Sequence, residues 1–265
     1  MKKLNFVFIF FIITSFQLFA QEIKYDLYLL IGQSNMAGRG TVEAQDTVIN
    51  AQVFALNKNN EWVPAQDPVH FDKTVAGVGL GRTFGIEMAK ANPNAVIGLI
   101  PCAVGGSPID AWKPGGFHDQ TKTYPFDDME KRLKIALKSG TLKGILWHQG
   151  ESDSNPELGY EYKEKLEILI QQVRELGGDE KIPFVAGEIG RFKIKSNKEE
   201  YHYLKPAPAV AVTNATKEVV KADKNAAFVK SNGLHHRGDN THFNSESYRI
   251  LGKRYAKAMQ KLQKN

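Results

Sequence analysis

Cysteine is almost absent from this 265-residue chain: Cys102 stands alone, so an intrachain disulfide is impossible, and no CxxC or paired Cys/His spacing marks a structural zinc. Stability must come from a hydrophobic core, and a chain of this length buries most of the surface that its unfolded form exposes. Internal repeats, low-complexity tracts and a proline-rich linker are also missing, so one domain is expected rather than a string of modules. Charge of one sign is scarce too. Lys and Arg number 35 against 29 Asp and Glu, and basic positions such as Lys131, Arg132, Lys134, Lys253 and Arg254 are interleaved with acids or apolar residues as on solvated helix faces. Nucleic-acid binding is therefore not expected. With 42 % hydrophobic and 24 % charged residues, the composition is that of a folded globular protein and excludes a disordered chain.

The longest apolar run stands at the start. Lys2 and Lys3 precede the apolar residues 4–13, and Ser15, Gln17 and Ala20 lead into polar Gln21 and Glu22, the pattern of a secretory signal. Cleavage is expected after Ala20, leaving residues 21–265 as a single domain in a secreted or periplasmic setting, with no stable membrane association. A membrane anchor competes with this reading, but Thr14, Ser15 and Gln17 interrupt the end of the run short of the ~20 apolar residues of a span. Loss of Lys2 and Lys3 takes the formal charge from +6 to +4.

Along the remaining chain, apolar runs of strand length alternate with amphipathic runs of helix length. Expected strands are Asp26–Ile31, Val96–Pro101, Leu142–Trp147, Ile182–Ala186 and Ala226–Lys230, rich in Ile, Leu and Val as strands covered on both faces must be. Helices are expected over Leu80–Ala91, Phe126–Lys138, from Tyr162 to the Gly177-Gly178 stop, and over Ser245–Leu262, each with an apolar stripe at helical spacing. Thr41–Gly79 reads as a loop-rich excursion with a short strand near Val53. The alternation implies an α/β fold with a central parallel sheet of about five strands between helical layers.

Ligands bind beyond the carboxyl ends of such strands, and the segments there are unusual: Gly32-Gln33-Ser34-Asn35-Met36-Ala37-Gly38, Gly105-Gly106-Ser107, His148-Gln149-Gly150-Glu151 and Asp239-Asn240-Thr241-His242. A serine nucleophile needs a neighbouring base that is itself oriented by a third group. Ser34 can be that nucleophile or a helix N-cap. His242 can be the base, with Asp239 three residues earlier accepting from its ring; the plainer reading is an Asx-turn beside an exposed histidine. His235, His236, Asp239 and His242 are also zinc-binding residue types, though their spacing matches no zinc signature. The backbone N–H groups of Ser34 and Gly106 and the side-chain amide of Gln149 are candidate oxyanion donors, set against an ordinary turn at Gly105-Gly106 and a structural network around Gln149. Trp112 is either a sugar platform or partial core.

These four blocks resemble the SGNH (GDSL-type) hydrolases, specifically the carbohydrate esterase family 6 and sialate O-acetylesterase-like branch: GQSNMAGRG at 32–40, Gly-Gly-Ser at 105–107, HQGESD at 148–153 and DNTHF at 239–243. The resemblance implies a flavodoxin-like three-layer α/β/α sandwich and cofactor- and metal-independent removal of O-acetyl groups from acetylated oligo- or polysaccharide. It further implies Ser34 as nucleophile, His242 as base, and oxyanion roles for Gly106 and Gln149. Gln33 replaces the usual Asp before the serine, and HQGE replaces the block that normally supplies an asparagine, which makes Glu151 a second candidate beside Asp239 for orienting the histidine. An acetylxylan-esterase-like activity is the leading expectation. The alternatives are a sialate O-acetylesterase, a noncatalytic glycan-binding module using Trp62, Trp112 and Trp147, and a metal-dependent hydrolase.

Overall fold

A computed structural model describes residues 23–264; the expected signal segment, residues 1–20, lies outside them. The organising element is β1 (Tyr25–Gly32), whose residues are nearly all buried. Because successive strand side chains point to opposite faces, Leu27, Leu29 and Ile31 enter one core while Tyr28 and Leu30 enter the other. The first core is completed by α3 (Pro125–Ala136), α4 (Tyr162–Gly177) and α6 (Pro208–Ala222), and the second by α2 (Leu80–Ala91) and α7 (Ser245–Leu262). Three layers result, as the strand and helix alternation requires.

The sheet has seven strands, in the order β3-β2-β4-β1-β5-β6-β7, rather than about five. The five expected strands are present as β1, β4 (Val96–Pro101), β5 (Gly140–His148), β6 (Phe184–Gly187) and β7 (Ala226–Val229), all paired in parallel. The other two come from the irregular excursion: β2 (Val53–Leu56) pairs in parallel with β4, and the edge strand β3 (Trp62–Pro64) returns antiparallel to β2. Trp62 on β3 stacks on Tyr25, ring centroids 4.4 Å apart, so a three-residue strand too short to show a period is held by its ladder to β2 and by this aromatic pair.

Helix ends follow local chemistry. Pro125 occupies the first turn of α3, where its missing N–H costs nothing. Gly178 caps α4 in the left-handed conformation (φ 81°), and Asn244 accepts the Ser247 N–H at the start of α7. Two helices between β6 and β7 escape the sequence reading, α5 (Arg191–Glu200) and α6. In α5 only Asn197 is buried, so no apolar stripe exists to be seen, and the buried face of α6 is made of Val212, Thr216, Val219 and Val220, residue types with better strand than helix propensity.

The chain runs from β1 to β2 and β4 on one side, then crosses to β5 on the other, which makes the carboxyl end of β1 the point where the winding direction switches. At that point Gly32 has φ 128°, and a Cβ there would sit 2.2 Å from the carbonyl oxygen of His148 on β5. Gly32→Ala should therefore lower the free energy of unfolding by about 2–4 kcal/mol through backbone strain and steric clash, read from the midpoint of urea denaturation against the parent protein.

Candidate active site

The nucleophile candidate is set at the switch point. Gln33 donates its N–H to His148 O at 3.0 Å, and the chain turns at once into α1 (Ser34–Ala37), a single helical turn closed by Gly38 at φ 92°. Gln33 rather than Ser34 is the N-cap residue, so the Ser34 hydroxyl is not spent on capping. Its partner comes from the other end of the chain. Gly238 (φ 117°) and Asn240 (φ 54°) fold residues 238–242 into a tight turn, stitched by the Gly238 and Asn240 N–H groups donating to His236 Nδ1 at 3.0 and 3.2 Å. His242 Nε2 lies 2.9 Å from Ser34 Oγ, and His242 Nδ1 lies 2.7 Å from Asp239 Oδ2.

Burial raises the Asp239 carboxyl, but the N–H groups of His242 and Thr241 and the imidazole outweigh it and hold the group below the ordinary carboxylate range. An ionised Asp239 only accepts hydrogen bonds, so the proton on the ring sits at Nδ1 and leaves Nε2 to take the hydroxyl proton.

Glu151 does not touch the imidazole within hydrogen-bonding distance. It is buried and accepts a hydrogen bond from the side-chain amide of Asn35. Burial raises its carboxyl above the ordinary range, against the pull of that Asn35 donor. Nearby His148 is neutral. Burial pushes its pKa down to about 3, and because Tyr255 donates its hydroxyl proton to Trp147 O at 2.8 Å, the Tyr255 oxygen is left to accept from His148 Nδ1 at 3.0 Å.

The Gly105-Gly106 turn faces Ser34 across a cavity of about 350 Å³, which Ser34, His242, Gly106, Lys73 and Lys193 help to line. Gly106 has φ 86°. Asp72 fixes the turn by accepting the Gly105 N–H at 2.8 Å while pairing with Arg39 at 2.6 Å, both side chains being buried. The N–H groups of Ser34 and Gly106 have no acceptor among the described residues, an arrangement suited to receiving a developing negative charge. A larger cavity, about 530 Å³ between α5 and α6, has no serine, cysteine or histidine in its wall.

Two expected roles do not match this geometry. The Gln149 amide nitrogen is already bonded to Gln33 Oε1 and Ser107 O, each at 3.0 Å, and to Asp153, while its oxygen accepts from Tyr162 at 2.8 Å. Gln149 is thus a buried strut with no free donor for an oxyanion. Trp112 is 2 % exposed, packs edge-on against Trp147 and donates its indole N–H to Ser107 Oγ at 2.9 Å, so it is core rather than a sugar platform. Trp147 is likewise buried, and Trp62 lies on β3 against Tyr25. Among the described residues, no group of three or more His, Cys, Asp and Glu is gathered as a metal ligand set. Residues that the sequence reading assigns no role, Asn35, Arg39, Asp72, Lys73 and Lys193, surround the site. Asp72 and Lys73 belong to the irregular excursion and Lys193 to α5, where no local pattern marks them.

The architecture is shared with solved esterases and acylhydrolases of SGNH type. A family described as carbohydrate esterase, sialic acid-specific acetylesterase, matches residues 24–261, and the chain belongs to it; its members are carboxylic ester hydrolases. A probable carbohydrate esterase from Arabidopsis thaliana is 35 % identical over 147 residues, an alignment spanning 48 % of this chain and about half, 54 %, of that protein. The crystal structure of an Arabidopsis thaliana protein superposes with a TM-score of 0.75 at 27 % identity, covering 89 % of this chain and 97 % of the other. Similarity of fold extends to a carbohydrate acetylesterase from Xanthomonas citri (TM-score 0.70, 22 % identity, 89 % and 56 % covered) and to NanS (0.71, 16 %, 92 % and 98 %).

Gln149→Ala should act first on stability, lowering the unfolding free energy by about 2–4 kcal/mol because several buried partners lose their hydrogen bonds, measurable by urea titration. Trp112→Phe should leave the Michaelis constant for an acetylated glycan within about twofold, measured by acetate release; a large rise would return the tryptophan to the substrate.

Proposed function

We propose that the chain is an exported serine esterase that removes O-acetyl groups from acetylated carbohydrate through an acetyl-enzyme. The observation that carries this reading is the unbroken run from Asp239 through His242 to Ser34 Oγ, with contacts of 2.7 and 2.9 Å, ending at a cavity that Gly106 also lines. Ser34 Oγ attacks the acetyl carbonyl as its proton passes to His242 Nε2. Negative charge then builds on the carbonyl oxygen between the N–H groups of Ser34 and Gly106, which are fixed before the reaction and need no reorganisation. The imidazolium, stabilised by Asp239, returns the proton to the departing sugar oxygen. Water then attacks the acetyl-enzyme carbonyl as it gives a proton to the same nitrogen; the bond to Ser34 Oγ breaks, His242 returns that proton to Oγ, and acetate leaves. Asp239 is the carboxylate that orients the base in this reading, and Glu151 acts at a distance.

Within the carbohydrate esterases, an acetylxylan-type substrate of the family 6 branch is a neutral polymer, whereas a sialate carries a carboxylate. Lys73 and Lys193 line the cavity, and the Lys73 ammonium is bonded to the Gln120 amide at 2.8 Å rather than to a carboxylate. Two cations at the mouth favour an acidic sugar, so the sialate O-acetylesterase reading gains weight over the xylan one.

Ser34→Ala and His242→Ala should each lower hydrolysis of a generic aryl acetate by several orders of magnitude, and the double variant should be scarcely worse than either, since nucleophile and base act as a unit. A serine-directed phosphonate should add its mass at Ser34. Ordinary turnover in folded Ser34→Ala would remove the mechanism. Asp239→Asn should lower turnover by up to about 10⁴-fold through the wrong imidazole tautomer. On a panel of acetylated glycans, Lys193→Glu should raise the Michaelis constant about tenfold or more for acidic sugars and far less for neutral ones; equal effects on both would favour the neutral polymer.

A further inference from the structure

Asp239 sets the tautomer and rotation of the His242 ring, but it lies in the same turn and so cannot determine where that turn sits relative to Ser34. The structure assigns that task to Asn35: we propose that Asn35 is a positioning residue, clamping the peptide on both sides of His242 to the turn that carries the nucleophile. This inference rests on the serine esterase reading above. Asn35 is fully buried, and all four hydrogen-bonding valences of its amide are used. Nδ2 donates to Thr241 O at 2.9 Å and to Glu151 Oε1. Oδ1 accepts the Phe243 N–H at 3.2 Å and the Tyr248 hydroxyl at 2.6 Å.

Thr241 and Phe243 flank the base, and Asn35 follows the nucleophile directly in sequence. One planar amide therefore references the backbone of His242 to that of Ser34. Glu151 and Tyr248 hold the amide from behind, the carboxylate oxygen facing Nδ2 and the hydroxyl facing Oδ1, so the plane cannot flip without pairing like with like. This arrangement gives buried Glu151 a role without contact to the imidazole. Other links between the two segments, Arg237 Nη1 to Arg39 O at 2.6 Å and Ser245 Oγ to Thr41 O at 2.7 Å, attach more distant parts of the loop and leave the peptide at His242 to Asn35.

The test uses Asn35→Ala in the full chain, with Asn35→Asp as a second variant that keeps the volume and both acceptor sites but has no donor for Thr241 O. Each should lower kcat for an aryl acetate about 10²-fold, the scale of an ångström's misplacement of a catalytic group, with the Michaelis constant within about threefold. In a His242→Ala background, Asn35→Ala should cost less than about twofold more, because a residue acting through the imidazole has nothing left to position. The proposal is overturned by wild-type kcat in either folded variant, by a loss confined to the Michaelis constant, by an equal further loss in the His242→Ala background, or by failure of both variants to fold, which would make Asn35 structural. Serine dependence of the parent activity is read separately from Ser34→Ala. If that variant is as active as the parent, the esterase mechanism falls and this proposal with it; if only the Asn35 results fail, the mechanism stands.

Discussion

The reactive rim is built outward from one close approach, that of the end of β1 to the end of β5. The Gln33 N–H bonds to His148 O at 3.0 Å, and Gly32 makes the approach possible because no side chain fits between its Cα and that carbonyl. Once the two backbones are joined there, the Gln33 side chain reaches across and its oxygen accepts from Gln149 Nε2, Gly150 N and Ser152 N at 3.0–3.4 Å. Gln33, at the position where the SGNH hydrolases that the sequence resembles usually carry an aspartate, thus serves to hold the HQGE block against the serine turn. A neutral amide suits the task, since a carboxylate at this depth would add an unpaired charge beside Glu151 and Asp153.

What surrounds the serine is an unusually polar interior. Gln33, Asn35, His148, Gln149, Glu151 and Asp153 are all buried; their hydrogen bonds run largely to one another and to backbone groups, while His148 Nε2 and Glu151 Oε2 have no partner among the described residues, so the network carries a desolvation cost at those two atoms. Burial also sets the protonation states. It moves Asp153 up to about 7 against the pull of its Gln149 and Ile109 donors, and it keeps His148 neutral. The half-exposed turn carrying Asp239 behaves oppositely, with local donors keeping the carboxylate ionised. Two environments on segments far apart in the chain thus separate buried acids held in a hydrogen-bond network from the partly exposed Asp239 beside His242.

Trp112 and Trp147 are core, and the cavity wall beside Ser34 carries Lys73, Gln120 and Lys193 from three separate segments. In the proposed reading, recognition of the sugar would fall to that charged wall rather than to an aromatic platform. Specificity and chemistry would then be divided between different parts of the chain.

Periodicity alone made most of the fold legible. Val96–Pro101 and Ser245–Leu262 read as they are found, because a strand buried on both faces and a helix with one apolar stripe leave local signatures. Ser34, Asp239 and His242 were singled out by short-range patterns too, turn residues, a hydroxyl and a DxxH pair, and the fold brings the three side chains within hydrogen-bonding distance. What the sequence did not disclose depended on partners far along the chain. Whether Gln149 faces a substrate or its own neighbours was decided by Gln33, Ser107 and Tyr162; whether Trp112 is platform or core, by Trp147; and what Glu151 bonds, by Asn35, from whose side-chain amide it accepts. The sequence by itself determined which elements form and which groups are chemically able to react, because those properties reside in the residues and their immediate neighbours. The tertiary structure alone decided which hydrogen bonds each buried polar group spends inside the protein and which it leaves for a ligand, because a side chain's donors and acceptors are finite and long-range packing allocates them.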